Sequence, residues 1–278
     1  MKRIFAIIVA AALSAGTLFA QDLASATETY NNGAAALSEK NYTAALSSFQ
    51  EALKVAQGLG EDGAEIVENC KGIIPSIVFS IARDYINAKD YTKAIAGLEE
   101  AVKVAAEYGK EDVADKAKDL IPQVYMQQGN TQLQAKDYAA AAEAYKAILA
   151  LVPTNGQAAV RLGQALNAAG DVEGAVEAFK TAAANGQESV ANGQLANIVL
   201  KEASNLLKEK KFEEAIEQAL KSAEYKESAN AYKIAGTAAN SLQKKDLAIE
   251  YLGKYVELAP TAADVAQIKA AIEALKTQ

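Results

Sequence analysis

Apolar positions return along the chain in one recurring arrangement. A polar residue is followed by an aromatic or apolar one, two variable residues, Ala, an apolar residue, two variable residues and a large residue. Asn41-Tyr42-Thr43-Ala44-Ala45-Leu46-Ser47-Ser48-Phe49 is the first instance. It is followed by Asp90 to Leu98, Asp137 to Tyr145, Asp171 to Phe179 and, more weakly, Lys211 to Ala219. Apolar residues three and four apart share one face of a helix, so each instance predicts an amphipathic helix. Ala, Glu, Lys, Leu and Gln fill the intervening positions, and all are good helix formers. Val265, Ile268, Ile272 and Leu275 keep the same spacing and predict a last helix over 261–276, with Thr261 as its N-cap.

The distance between matching Ala residues varies. It is 49 residues from Ala45 to Ala94, 47 to Ala141, 34 to Ala175, 40 to Ala215 and 33 to Ala248. The two long periods share a further likeness: Pro75 stands 16 residues before Tyr91, and Pro122 stands 16 before Tyr138. The extra length is read as an added helical stretch before each Pro, begun by turns at 58–63 and 108–110. Pro then starts a helix or sits inside a longer one. The stretch from Asn185 to Gln194, rich in Asn, Gly and Gln, is the expected soft joint.

These segments resemble the tetratricopeptide repeat, with a small residue at position 8, Ala at 20, a large residue at 24, Ala at 27 and often Pro at 32. The first unit offers Gly33, Ala45, Phe49 and Ala52; the second Ala82, Ala94, Leu98 and Ala101. The third offers Gly129, Ala141, Tyr145, Ile148 and Pro153; the fourth Gly163, Ala175, Phe179 and Ala182. The fifth has Ala203, Ala215, Ala219 and Ser222; the sixth Gly236, Ala248, Leu252, Tyr255 and Pro260. The resemblance implies an all-α fold, a right-handed α-solenoid of about six helix-turn-helix repeats over 26–59, 75–108, 122–155, 156–189, 196–228 and 229–260, capped by the helix at 261–276. Small residues at 8 and 20 would allow close helix crossing, and the large residue at 24 would fill the space towards the next unit. One hairpin cannot bury its apolar face alone, whereas stacked hairpins share a continuous core.

Composition narrows the chemistry. The 278 residues contain no His and one Cys, which excludes Ser-His-Asp and Cys-His catalysis, imidazole metal ligands and an internal disulfide. A net charge of −7 argues against a general nucleic-acid binder. Glu61-Asp62 and Glu213-Glu214 fall at expected helix starts, where negative charge suits the dipole. No enzymatic activity, metal or cofactor is expected. Met1-Lys2-Arg3, the apolar run from Ile4 and a small-residue end at Ala20 have the form of a secretory signal peptide over 1–20. The mature chain, 21–278, is then expected to be a periplasmic or otherwise extracytoplasmic member of an exported bacterial type, without a lipid-modified Cys at its start. Cys70 is read as a small apolar residue on a helix face.

In the family that the chain resembles, the first helix of each unit lines the concave surface. Mapped by that resemblance, the groove candidates are Phe79, Arg83, Asn87, Gln127, Asn130, Gln134, Arg161, Gln164, Asn197, Lys201, Lys233 and Asn240. Amides pair with peptide donors and acceptors alike, and Arg grips a carboxylate by two bonds. The implied function is a protein-interaction scaffold holding an extended or helical segment of a partner, with no nucleic acid and no membrane span after signal removal. The alternative is a glycan- or small-ligand-binding accessory protein, for which Tyr30, Phe79 and Tyr125 are the aromatic candidates. Some relatives clamp a C-terminal carboxylate with Lys at position 5 and Asn at 9. Position 5 here is Tyr30, Phe79, Met126, Val160, Leu200 and Lys233, so that specificity is not carried over.

Overall fold

A computed structural model describes residues 17–277, and among them every regular element is helical. The expected signal sequence therefore lies mostly outside the described residues. Two compact units divide the chain, residues 1–130 and 131–278.

The first unit holds α1 (Thr17–Ser38), α2 (Tyr42–Gln57), a 3₁₀ turn (Gly60–Gly63), α3 (Ala64–Asn87), α4 (Tyr91–Glu107) and the larger part of α5 (Glu111–Gln134). Within it α1 packs on α2, α2 on α3 and α3 on α4. Phe49, Ile66, Cys70, Ile74, Ile77, Leu98 and Val124 are buried in one core. The added stretches resolve the open reading of the two prolines. Pro75 and Pro122 lie inside the 24-residue helices α3 and α5, which run on through them. Proline lacks an N–H, so each forgoes one bond in its helical ladder.

The second unit holds the end of α5, α6 (Tyr138–Leu151), α7 (Gly156–Ala169), α8 (Val172–Ala182), a π segment (Ala183–Gln187), α9 (Glu188–Lys208), α10 (Phe212–Tyr225), α11 (Ala229–Ser241), α12 (Lys245–Leu258) and α13 (Val265–Thr277). Successive helices pack in order from α6 to α13. Ser222, where the first, second and fourth repeats carry Ala, is buried and donates its hydroxyl hydrogen to the Ala196 carbonyl at 2.9 Å. That bond fastens α10 to α9. Within the stretch expected to be a soft joint, Asn185, Gly186 and Gln187 leave helical geometry, and α9 is regular from Glu188.

Six turns join the paired helices, and all six close in one way. The chain enters the left-handed region at Lys40, Lys89, Lys136, Gly170, Lys210 and Gln243. At Lys40 the N–H donates to the Leu37 carbonyl, and the Asn41 N–H donates to the Ala36 carbonyl. The other five repeat this pair of bonds, which satisfies carbonyls that a helix end leaves open. In four turns the next residue then caps the following helix. The side chains of Asn41, Asp90, Asp137 and Asp171 accept from the N–H of Ala44, Lys93, Ala140 and Gly174. The recurring polar residue that opens the pattern is thus a side-chain N-cap in four instances, whereas Lys211, and Lys244 before α12, hold the N-cap position without a side-chain bond.

The large residue at position 24 sits against its own unit's small residue and also shares a core with the next helix pair, as Phe179 does with Ala191 and Leu195 of α9. Atoms of Phe49, Phe179 and Leu252 approach the backbone of Gly33, Gly163 and Gly236 so closely that a methyl group there would stand 3.2, 2.7 and 2.7 Å from them. The last helix starts at Val265 instead of beside Thr261, because residues 259–265 close turns in which the Ala262 N–H reaches the Ala259 carbonyl and the Val265 N–H reaches the Ala262 carbonyl.

Candidate ligand-binding surface

Every groove candidate falls on the first helix of a pair. In the first unit Arg83 and Asn87 are exposed near the end of α3, with Gln127 exposed and Asn130 half-buried on α5. Phe79 is half-buried and packs on Ala105, Val113 and Ala114. The three aromatics of the glycan reading are all committed to packing. Tyr30 is 3% exposed, its ring edge-on to Phe49 at 5.2 Å, while Phe79 and Tyr125 lie against the core.

In the second unit Gln134 and Asn240 are exposed. Arg161 donates to the Gln164 side-chain oxygen at 3.2 Å, so this cation and amide stand together on α7. Lys233 is engaged within the chain: its ammonium lies 2.6 Å from the Asp264 carboxylate. The hydrogen bond that Lys233 donates to Asp264 raises the Lys233 pKa above the ordinary lysine range and holds Asp264 below the ordinary carboxylate range.

Asn197 and Lys201 line a cleft of about 620 Å³ with Asn167 of α7 and Val172 of α8. The volume is that of a small-ligand or short-peptide site. The rest of its wall comes from α9: Gln194, Ile198, Glu202, Asn205, Leu206 and Glu209. Val172 keeps 48% of its surface exposed and gives the cleft an apolar patch on α8. The cleft adjoins the joint where the period stretches to 40 residues and where α8 gives way to the π segment. Gln194, Ile198, Glu202, Asn205, Leu206 and Glu209 escape a reading by family position. Their steps of three and four along one helix were the available signal.

Stacked antiparallel helix pairs with a small residue facing a large one define the repeat class. The tetratricopeptide-repeat family model matches residues 126–190 and 200–263. Over those two stretches the chain carries tetratricopeptide repeats. A comparison with curated proteins finds no match. Among solved structures, the crystal structure of MamA protein is 20% identical, covering 69% of this chain and 96% of that one, with a TM-score of 0.38. YrrB, described as a TPR protein with an unusual peptide-binding site, is 18% identical over 74% of this chain and 96% of its own, with a TM-score of 0.39. The C-terminal part of a TPR repeat-containing protein from Cytophaga hutchinsonii is 16% identical over 88% of this chain and 98% of its own, with a TM-score of 0.43.

Among the described residues no helix is long and apolar enough to cross a membrane. No cluster of three or more Cys, Asp or Glu among them is placed to hold a metal ion.

Proposed function

We propose that this chain is an exported, non-catalytic scaffold that holds an extended or helical segment of a protein partner on the first helices of its repeats. The repeat fold supports protein or peptide partners as a class. The observation that carries the reading is the α7–α8–α9 cleft, where amides and a cation stand open at the scale of a peptide. Arg83, Asn87, Gln127, Asn130, Gln134, Arg161, Gln164 and Asn240 are proposed to extend the contact along each unit. Export rests on the basic, apolar and small-residue succession of residues 1–20.

Epitope-tagged full-length protein, expressed in its own host and recovered with its partners, tests both parts. Recovery from the extracytoplasmic fraction with Gln21 as the new N-terminus is expected. So is a protein retained at moderate salt and lost on Lys201→Ala. Retention of residues 1–20 on a cytoplasmic product overturns export; the absence of any salt-resistant partner overturns the scaffold reading.

A further inference from the structure

The cleft wall on α9 is divided lengthwise. At 100° per residue, Asn197, Lys201, Gln194 and Asn205 form one side of the face, while Ile198, Glu209, Glu202 and Leu206 form the other. The first side is three amides and one cation. The second alternates aliphatic and carboxylate groups: Ile198, Glu202 and Leu206 follow one another at steps of four.

Those steps have a length. Four residues of helix rise about 6 Å. Every second side chain of an extended strand lies on one face, about 6.8 Å from the next. An extended peptide laid along α9 therefore meets Ile198, Glu202 and Leu206 with three alternate side chains. Its backbone presents one N–H and one C=O per residue towards Asn197, Lys201 and Asn205, and amides match both kinds of group.

Charge decides the middle side chain. Among the described residues Glu202 forms no ion pair, and Glu209 is paired at 2.8 Å with Lys211. Val172, across the cleft, adds a further apolar surface beside these residues. The chain as a whole carries −7, and its field favours a cationic ligand on approach.

We infer that the α7–α8–α9 cleft recognises an extended segment of a partner protein of the form aliphatic–any–Lys or Arg–any–aliphatic, with the basic side chain on Glu202 and the aliphatic ones on Ile198 and Leu206. This rests on the scaffold reading and names the chemistry of its ligand.

Three fluorescein-labelled nonapeptides, blocked at both ends, test the pattern against the full chain. The first is Gly-Ser-Leu-Ser-Lys-Ser-Leu-Ser-Gly. The second has Glu for Lys. The third keeps the first composition with Lys moved beside one Leu. Fluorescence anisotropy is expected to show the first binding at least about tenfold tighter than either other. Glu202→Lys, an exposed substitution checked for helical content by circular dichroism, is expected to reverse the preference between the first two. Equal binding of the first and third peptides, an unchanged preference in Glu202→Lys, or no binding of any peptide below about 1 mM overturns the inference. If a natural partner is captured equally by wild type and by an Ile198→Ser, Glu202→Lys double variant, the inference fails while the scaffold reading stands.

Discussion

The Lys233 ammonium lies 2.6 Å from Asp264, and this pair joins α11 to the turn that opens α13. The Tyr255 hydroxyl of α12 donates to the same carboxylate, and the Lys233 ammonium stands 5.4 Å from the centre of the Tyr255 ring. Three elements thus meet on one side chain. The meeting matters because α13 buries only Val265 and Ile272. A terminal helix with so small an apolar footing is drawn from the low-stability end of a structure, where local opening is cheap.

The pair sets how α13 responds to pH. Asp264 is held below the ordinary carboxylate range, first by the hydrogen bond from Lys233 and then by that from Tyr255. A depressed carboxylate stabilises fully above its unfolded value, about 4, and that contribution is lost as pH falls through the lower folded value. Lys233 is raised, so its contribution is complete below about 10.4 and lost only as pH rises beyond that. Hydrogen exchange at α13 amides, compared with α7 amides, is therefore expected to stay protected between about pH 5 and 9. It should lose protection first at acid pH. Asp264→Asn should speed exchange in α13 at neutral pH and flatten its acid dependence. Unchanged α13 protection in that variant removes the role assigned to the pair.

Gly163 and Phe179 give a test of the repeat's internal packing. A methyl group at Gly163 would stand 2.7 Å from the Phe179 ring, and that ring is completely buried. Gly163→Ala gains helix propensity but overpacks the crossing, at a net cost of about 1–3 kcal/mol. Phe179→Ala empties the same space and costs about 3–5 kcal/mol. Residues in direct contact do not act additively, so Gly163→Ala combined with Phe179→Leu should cost less than Gly163→Ala and Phe179→Leu measured singly and summed. Urea unfolding of the four proteins measures this; strict additivity would show that the ring and the glycine do not set each other's space.

Much of this architecture is readable along the chain because its determinants are local. Asn41, Asp90, Asp137 and Asp171 announce helix starts by residue type, and Ala45 with Phe49 announces the helix face. The left-handed turns are less visible. Gly170 advertises one, but Lys40, Lys89, Lys136 and Lys210 hold the same conformation without the residue that favours it. The Lys233–Asp264 tie lies beyond reach of periodicity, since its partners are 31 positions apart in the sequence. The cleft is hidden for a related reason. Its shape depends on the break at Asn185 and Gly186 between α8 and α9, whereas the groove candidates include only Asn197 and Lys201 among its lining residues.

Those turns predict a simple gain. A left-handed conformation costs a residue with a Cβ about 1–2 kcal/mol, and glycine escapes that cost. Lys210→Gly keeps the Leu206 and Leu207 carbonyls bonded and should stabilise the chain by about 1 kcal/mol. Gly170→Ala should destabilise it by a similar amount. Asp137→Ala removes the acceptor for the Ala140 N–H and should cost about 1 kcal/mol, largely restored by Asp137→Asn. Thermal unfolding checks all four. A destabilised Lys210→Gly would mean that the lysine stem supplies packing that outweighs backbone strain.

Cys70 provides a probe of the first unit. It is fully buried in α3 among Ile66, Ile74 and their neighbours, and burial pushes its thiol up to about 12. The thiolate is the reactive form, and an exposed cysteine has a pKa near 8.5. The native protein at pH 8 should therefore react with a disulfide reagent about a thousandfold more slowly than the protein unfolded in guanidinium. Because the folded value is raised, burial of the neutral thiol stabilises fully below about pH 8.5, and this contribution declines as pH rises towards the folded value. Cys70→Ala keeps the site apolar and should cost about 1 kcal/mol for the lost volume. Cys70→Ser is nearly isosteric but buries a hydroxyl among aliphatic neighbours, and should cost about 1–3 kcal/mol. The serine variant is thus expected to unfold at lower denaturant than the alanine variant. The reverse order, or fast labelling of the native thiol, would place Cys70 in a wetter and more open setting than the core of α2, α3 and α4 provides.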